Sequence, residues 1–202
     1  MTQLFLKAKH WQLFLLTFGI PMLFQYLVMS TMIANIVSSN QPDPTAMLSH
    51  MKYLPLIIIL YAGVFFGWFW SVITGLQKKL PADAPIKLTR FKIFFFIPLV
   101  YLISISIFMG GIMSEIVDES ANPDAGIIGG LIAFIIPLHL FSMFCIFHSI
   151  YFAAKTIKTV ELQKELSFSD FAGEFFLIWF YPIGIWILQP KSNRMIEGEE
   201  TV

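Results

Sequence analysis

Four apolar runs, at 11–36, 53–76, 91–114 and 126–154, are each long enough to cross a bilayer, and they limit what this chain can fold into more than any other feature. A helix rises about 1.5 Å per residue, so about 20 apolar residues match a hydrocarbon core of about 30 Å. Composition agrees. Of 202 residues, 57% are hydrophobic and only 13% charged, against about 25% charged in soluble domains. That leaves too little polar surface to cover a water-soluble globule. The expected architecture is a single all-α integral membrane domain over 1–202, a helical bundle of four transmembrane helices. A short re-entrant or interfacial helix at 171–188 completes it.

The placement of charge says more than its sum. Thirteen basic and thirteen acidic residues cancel, so no global field favours nucleic acid or an acidic partner. Cys145 is the only cysteine, which excludes an intrachain disulfide framework and a cysteine-rich metal site. With the amino terminus cytoplasmic, the loop at 77–90 puts Lys78, Lys79, Lys87 and Arg90 inside. Lys155, Lys158 and Lys164 follow the fourth run on the same side. The first outer loop then holds one basic residue, Lys52, and the second none; the second instead holds Glu115, Asp118, Glu119 and Asp124. Cytoplasmic loops accumulate Lys and Arg, so this alternation sets the expected orientation. Lys7, Lys9 and His10 ahead of an apolar run resemble a signal-peptide start. The run at 11–36 far exceeds an h-region of about 7–15 residues, however, and is expected to be a retained span.

The fifth apolar stretch, 171–188, is borderline for a crossing and contains Glu174, Pro182 and Gly184. Proline lacks a backbone donor and disfavours helix at the preceding residue, which predicts a break at Tyr181. If the stretch crosses, Lys191 and Arg194 join Lys52 outside; if it dips in and returns, Lys52 stays alone there. The second arrangement obeys the charge rule better. Its aromatics, among them Phe171, Phe175, Trp179 and Trp186, suit the headgroup boundary. Both termini are then expected in the cytoplasm.

Span two carries Gly63, Gly67, Ser71 and Gly75, a small residue at every fourth position. Such faces let helix backbones approach closely in lipid. Span four repeats the pattern with Gly126 and Gly130, and with Gly129 and Ala133. Two readings stand: a dimerisation or moving interface, and packing inside the bundle, which is the commoner use. Pro21, Pro98 and Pro137 should kink their spans. Beyond Ala154 the fourth helix is expected to continue into the cytoplasm as a charged arm. Ser169 is expected to cap the next helix.

Gln25, Ser104 and His139 each fall near the middle of a span, where polar groups need protein partners. They are the candidates for one buried polar layer, with Ser106 and Ser142 as possible additions. His139 reads either as a proton-relay or ligand residue, because histidine titrates near neutrality, or as interhelical glue. Glu174 is the candidate intramembrane acid: a cation or proton site, or a first-turn acid favoured by the helix dipole. Cys145 and His148 fall short of a metal site, so no metal or cofactor is expected. No phosphate-binding loop, HExxH or nucleophile elbow is present, and spans one to four contain no Asp.

The tail from Phe168-Ser169-Asp170-Phe171 through Trp179-Phe180-Tyr181-Pro182-Ile183-Gly184-Ile185-Trp186 to Gln189-Pro190 and Asn193 resembles the tails of a family of small bacterial inner-membrane proteins. That family has no assigned activity, so the resemblance implies a bacterial cytoplasmic membrane and transfers no residue role. The expected function is a non-enzymatic membrane subunit, a scaffold or regulatory partner in a complex. Its expected partners are the lipid bilayer and another membrane protein or a second copy, with no nucleic acid. The alternative is a small oligomeric transporter or channel with a polar path through Gln25, His139 and Glu174.

Overall fold

Apolar runs of this length become helices because only hydrogen bonds within the segment satisfy a backbone that water cannot reach. The computed structural model describes residues 2–39, 53–81, 86, 88–117 and 125–197. In chain order they form α1 (Thr2–Lys7), α2 (His10–Phe14), a π-helical turn (Leu15–Gly19) and α3 (Ile20–Ser39). There follow α4 (Leu54–Leu76), α5 (Leu88–Val117), α6 (Ala125–Leu162), α7 (Phe168–Trp179) and α8 (Tyr181–Glu197). Four stretches are long and apolar enough to cross a membrane: His10–Ser38, Leu54–Lys79, Leu88–Met109 and Ile132–Leu162. The chain is an all-α, multi-pass membrane bundle with a bent C-terminal helix pair.

The core is built around α4. Its Trp68, Phe69, Ile73 and Leu76 are fully buried, and it packs against α1, α5, α6 and α8. α5 and α6 run antiparallel in a register set by rings. Phe91 meets Phe152 at 5.0 Å, Phe94 meets His148 at 4.1 Å, and Tyr101 meets His139 at 5.7 Å.

Pro21 explains the π turn. It offers no N–H to the carbonyl of Thr17, and its ring crowds that carbonyl. The helix widens just before it, so that the Ile20 N–H reaches back to Leu15. The buried Thr17 hydroxyl donates to the Leu13 carbonyl at 2.8 Å. Pro98 and Pro137, by contrast, lie inside unbroken helices.

The small-residue face of α4 is occupied from within the chain. A Cβ on Gly67 would lie 2.6 Å from Phe5 Cζ, and one on Gly75 would lie 2.9 Å from Leu6 Cδ1. Ser71 between them is buried. Thus α1 seats itself across α4, and only Gly63 has nothing within 4 Å. Among the described residues the matching face on α6 is empty: Gly129 and Gly130 meet nothing within 4 Å, and Ala133 is exposed. The surroundings of Gly126 lie outside the described residues.

α7 and α8 are bent by 119° about Phe180. The predicted break is present, one residue before Tyr181. Pro182 falls in the first turn of α8, where its missing donor costs nothing. Gly184 is required at the bend, because a Cβ there would sit 1.7 Å from the Leu177 carbonyl oxygen. α6 ends at Gln163, a non-glycine residue in the left-handed region (φ 49). Its side chain donates to the carbonyls of Val160 at 2.7 Å and Lys79 at 3.0 Å. Lys79 Nζ in turn donates to the carbonyls of Met195 and Ile196, capping the end of α8. The bent pair therefore starts and finishes beside Lys79. It returns to the end of the bundle it left.

Candidate functional site

The most specific polar construction holds that returning pair in place. Along α7, Phe168, Phe171, Phe175 and Trp179 recur at helical spacing and form one stripe, with Asp170 and Glu174 off it. The stripe lies against α6: Phe171 packs at 5.1 Å from Tyr151, and Trp179 at 4.9 Å from Phe147. That docking carries Glu174 to the last turns of α6.

Four charges from three helices close into a ring there. Lys158 Nζ lies 2.8 Å from Glu161 Oε2 and 3.3 Å from Glu174 Oε1. Lys191 Nζ lies 2.7 Å from that same Glu161 oxygen and 2.8 Å from that same Glu174 oxygen. Each carboxylate thus shares one oxygen between two ammonium groups. The side chains are 10–22% exposed, so the pairs are screened less than surface pairs. Burial pushes the Glu174 carboxyl up. The hydrogen bond from Lys191 and the two nearby ammonium charges outweigh it and hold the carboxyl below its ordinary range. With two cations against two anions, the ring is already neutral and has no charge to spare for a metal or a substrate. Its chemistry is that of a clasp joining α6, α7 and α8.

Ser167, not Ser169, is the N-cap of α7. The Ser167 N–H and hydroxyl both donate to Asp170 Oδ2, at 2.8 Å and 2.7 Å. Ser169 already lies inside the helix, because Asp170 at the third helical position is what reaches back to the cap. The Ser167 hydroxyl and then its N–H hold the Asp170 carboxyl below its ordinary value.

A second polar junction surrounds Gln189, which is 1% exposed. Its Oε1 accepts from Trp68 Nε1 at 2.6 Å. Its Nε2 donates to the carbonyls of Phe5 and Ala8, both at 2.9 Å. Asn193, one helical turn on, turns its amide so that Nδ2 donates to the Leu6 carbonyl at 2.7 Å. Two amides on α8 thereby satisfy carbonyls that the end of α1 leaves open.

The residues expected to form a buried polar layer lie apart. Gln25 is exposed on α3, in a cleft shared with α4. Ser104 is exposed on α5. His139 is exposed on α6, with its Nδ1 3.0 Å from the Tyr101 hydroxyl. Ser106 is buried but donates within its own helix, to the Leu102 carbonyl at 2.6 Å. His148 packs against Phe94 with the rings tilted by 42°, and Cys145 is fully buried. Among the described residues, no three His, Cys, Asp or Glu side chains converge as metal ligands would.

Glu174 was legible in the sequence, but the roles of Lys191, Trp68 and Gln189 were not. Lys191 was readable only as a flanking charge. The signal that it does more was Glu174 itself, an acid in an apolar stretch that needs a cation within reach. No protein-family model matches the chain, and no curated protein or solved structure is similar to it.

Proposed function

We propose that this chain is a non-enzymatic subunit of a membrane complex, a scaffold or regulatory partner in a bacterial cytoplasmic membrane, with both termini cytoplasmic. One observation carries the reading: among the described residues, the chain fills the small-residue face of α4 and leaves the equivalent face of α6 empty. Gly129, Gly130 and Ala133 stand beside exposed Phe134, Ile136, Leu140 and Phe141. A face of this kind brings helices together through close backbone packing. A helix from another membrane protein, or from a second copy, fits it. The orientation is supported by the gathering of Lys79, the end of α6 and the end of α8 at one end of the bundle, together with the Lys and Arg bias.

The test is recovery from membranes in mild detergent. A stoichiometric companion, or a second copy, should co-purify with the wild type and disappear with Gly130→Leu plus Ala133→Leu. The thermal stability of the isolated chain should be unchanged by those substitutions. Recovery of a lone chain from native membranes would end the proposal. A polar transport path has less support, because Gln25, His139 and Glu174 occupy three separate places.

A further inference from the structure

Between the π turn, the start of α3 and α4 lies an open cleft of ≈ 430 Å³, lined by Thr17, Phe18, Pro21, Gln25, Ile58 and Tyr61 among others. That volume falls within the range of about 300–1,000 Å³ typical of small-molecule sites. The walls are apolar apart from three side chains. Thr17 spends its hydroxyl proton on the Leu13 carbonyl. The Gln25 amide and the Tyr61 hydroxyl have no hydrogen-bond partner among the described residues.

Depth makes that vacancy consequential. Gln25 lies near the middle of the span His10–Ser38, about 20 Å of helix from either end. It is too deep for its amide to reach interfacial water, and an unsatisfied polar group in hydrocarbon is costly. The cleft is lined by Thr17 and Phe18 of the π turn and by Pro21 just after it. Such turns occur disproportionately at functional sites.

We propose that this cleft binds an isoprenoid quinone or a close chemical equivalent: a planar head bearing carbonyl groups, on a long apolar tail. Gln25 Nε2 and the Tyr61 hydroxyl are both donors, and carbonyl oxygens accept from both without needing to donate. Phe18 and Tyr61 pack edge to face against each other in the cleft lining, centroids 6.4 Å apart, and supply aromatic surface for a flat head. The open mouth lets the tail pass directly into lipid. Phospholipids and fatty acids fit poorly, because their charged ends stay at the headgroup level. Binding alone is inferred; no redox step is assigned.

The experiment uses the full chain in detergent or nanodiscs and a short-tailed benzoquinone analogue as probe, read by thermal shift and by quenching of tryptophan fluorescence. Wild type should show saturable binding. Gln25→Leu and Tyr61→Phe should each weaken it roughly tenfold, the effect of losing one hydrogen bond worth about 1.4 kcal/mol. Glu174→Gln, remote from the cleft, should leave affinity unchanged. Gln25 is exposed, so Gln25→Leu should retain the fold, checked by circular dichroism. Absence of saturable binding to wild type overturns the proposal, as does undiminished binding to the double variant. So does a result in which Gln25→Leu changes only the oligomeric state, which would make the amide a contact between chains.

Discussion

The end of the bundle around Lys79 and the opposite half, built from α3 and the first half of α6, obey different rules. In the span Leu54–Lys79, half of the most apolar window (50%) is buried inside the molecule, against 11% for His10–Ser38 and 17% for Ile132–Leu162. Toward the Lys79 end, helices are tied crosswise by side chains: Gln189 to Trp68 and Phe5, Lys79 to Ile196, Lys191 to Glu161 and Glu174. In the other half, among the described residues, α3 meets no other helix extensively beyond the π turn. The contrast follows from the solvent. Where the end of the bundle approaches water, polar side chains can join helices and exposed apolar surface is penalised. Deep in lipid, an apolar face gains nothing by turning inward. The tied end therefore stores the stability, and the loose half keeps surface available.

The sharpest way to break this contrast is at Gly184. Gly184→Ala drives a methyl group into the Leu177 carbonyl and should open the bend between α7 and α8. A loss of more than about 3 kcal/mol is expected in reversible unfolding in detergent. Gln189→Leu comes next. It leaves the buried Trp68 N–H and the Ala8 carbonyl without partners, and the Phe5 carbonyl with the Ala8 N–H alone, and should cost about 2–4 kcal/mol. Limited proteolysis should then cut near Ala8, where wild type resists.

Glu174→Gln should be milder, about 1–3 kcal/mol, because Glu161 still holds both ammonium groups. A double-mutant cycle with Lys191→Met should show coupling between the two positions. The pH dependence has a definite sign. The folded Glu174 carboxyl titrates below its unfolded value, so its contribution is complete above the ordinary carboxylate range, about 4.3, and fades as pH falls through the lower folded value. Wild type should lose stability through that acid window, and the Gln variant should lose less. The smallest effect belongs to the loose half and to the unfilled end of the α4 face. Gly63→Ala and Gly130→Ala meet open space and should change the stability of the isolated chain by no more than about 0.5 kcal/mol. A large loss at either site would show that the loose half is packed more tightly than its surface indicates.

The spans were legible because length and hydropathy are local properties, and so was the break at Tyr181-Pro182, where proline acts on its immediate neighbour. The capping serine was misplaced by two residues, since both Ser167 and Ser169 precede an apolar run and only the reach of Asp170 distinguishes them. The occupant of the α4 groove was not legible. Leu4, Phe5 and Leu6 form a short apolar patch that periodicity cannot separate from a flank. Between helices, the clasp and the Gln189 junction join residues 16 to 184 positions apart. No spacing rule reaches that far. The polar residues singled out by depth were correctly seen as costly, but depth alone does not say which direction a side chain faces.

The seating of α1 by Gln189 has a temporal consequence. Phe5 and Gln189 are separated by 184 positions, and a ribosome adding about 5–20 residues per second needs roughly ten to forty seconds to travel between them. During that interval the opening segment has its groove on α4 but not the amides that fasten it. Biogenesis thus has a waiting period, in which the nascent chain sits half-latched and vulnerable to proteases until a helix made far downstream turns the key.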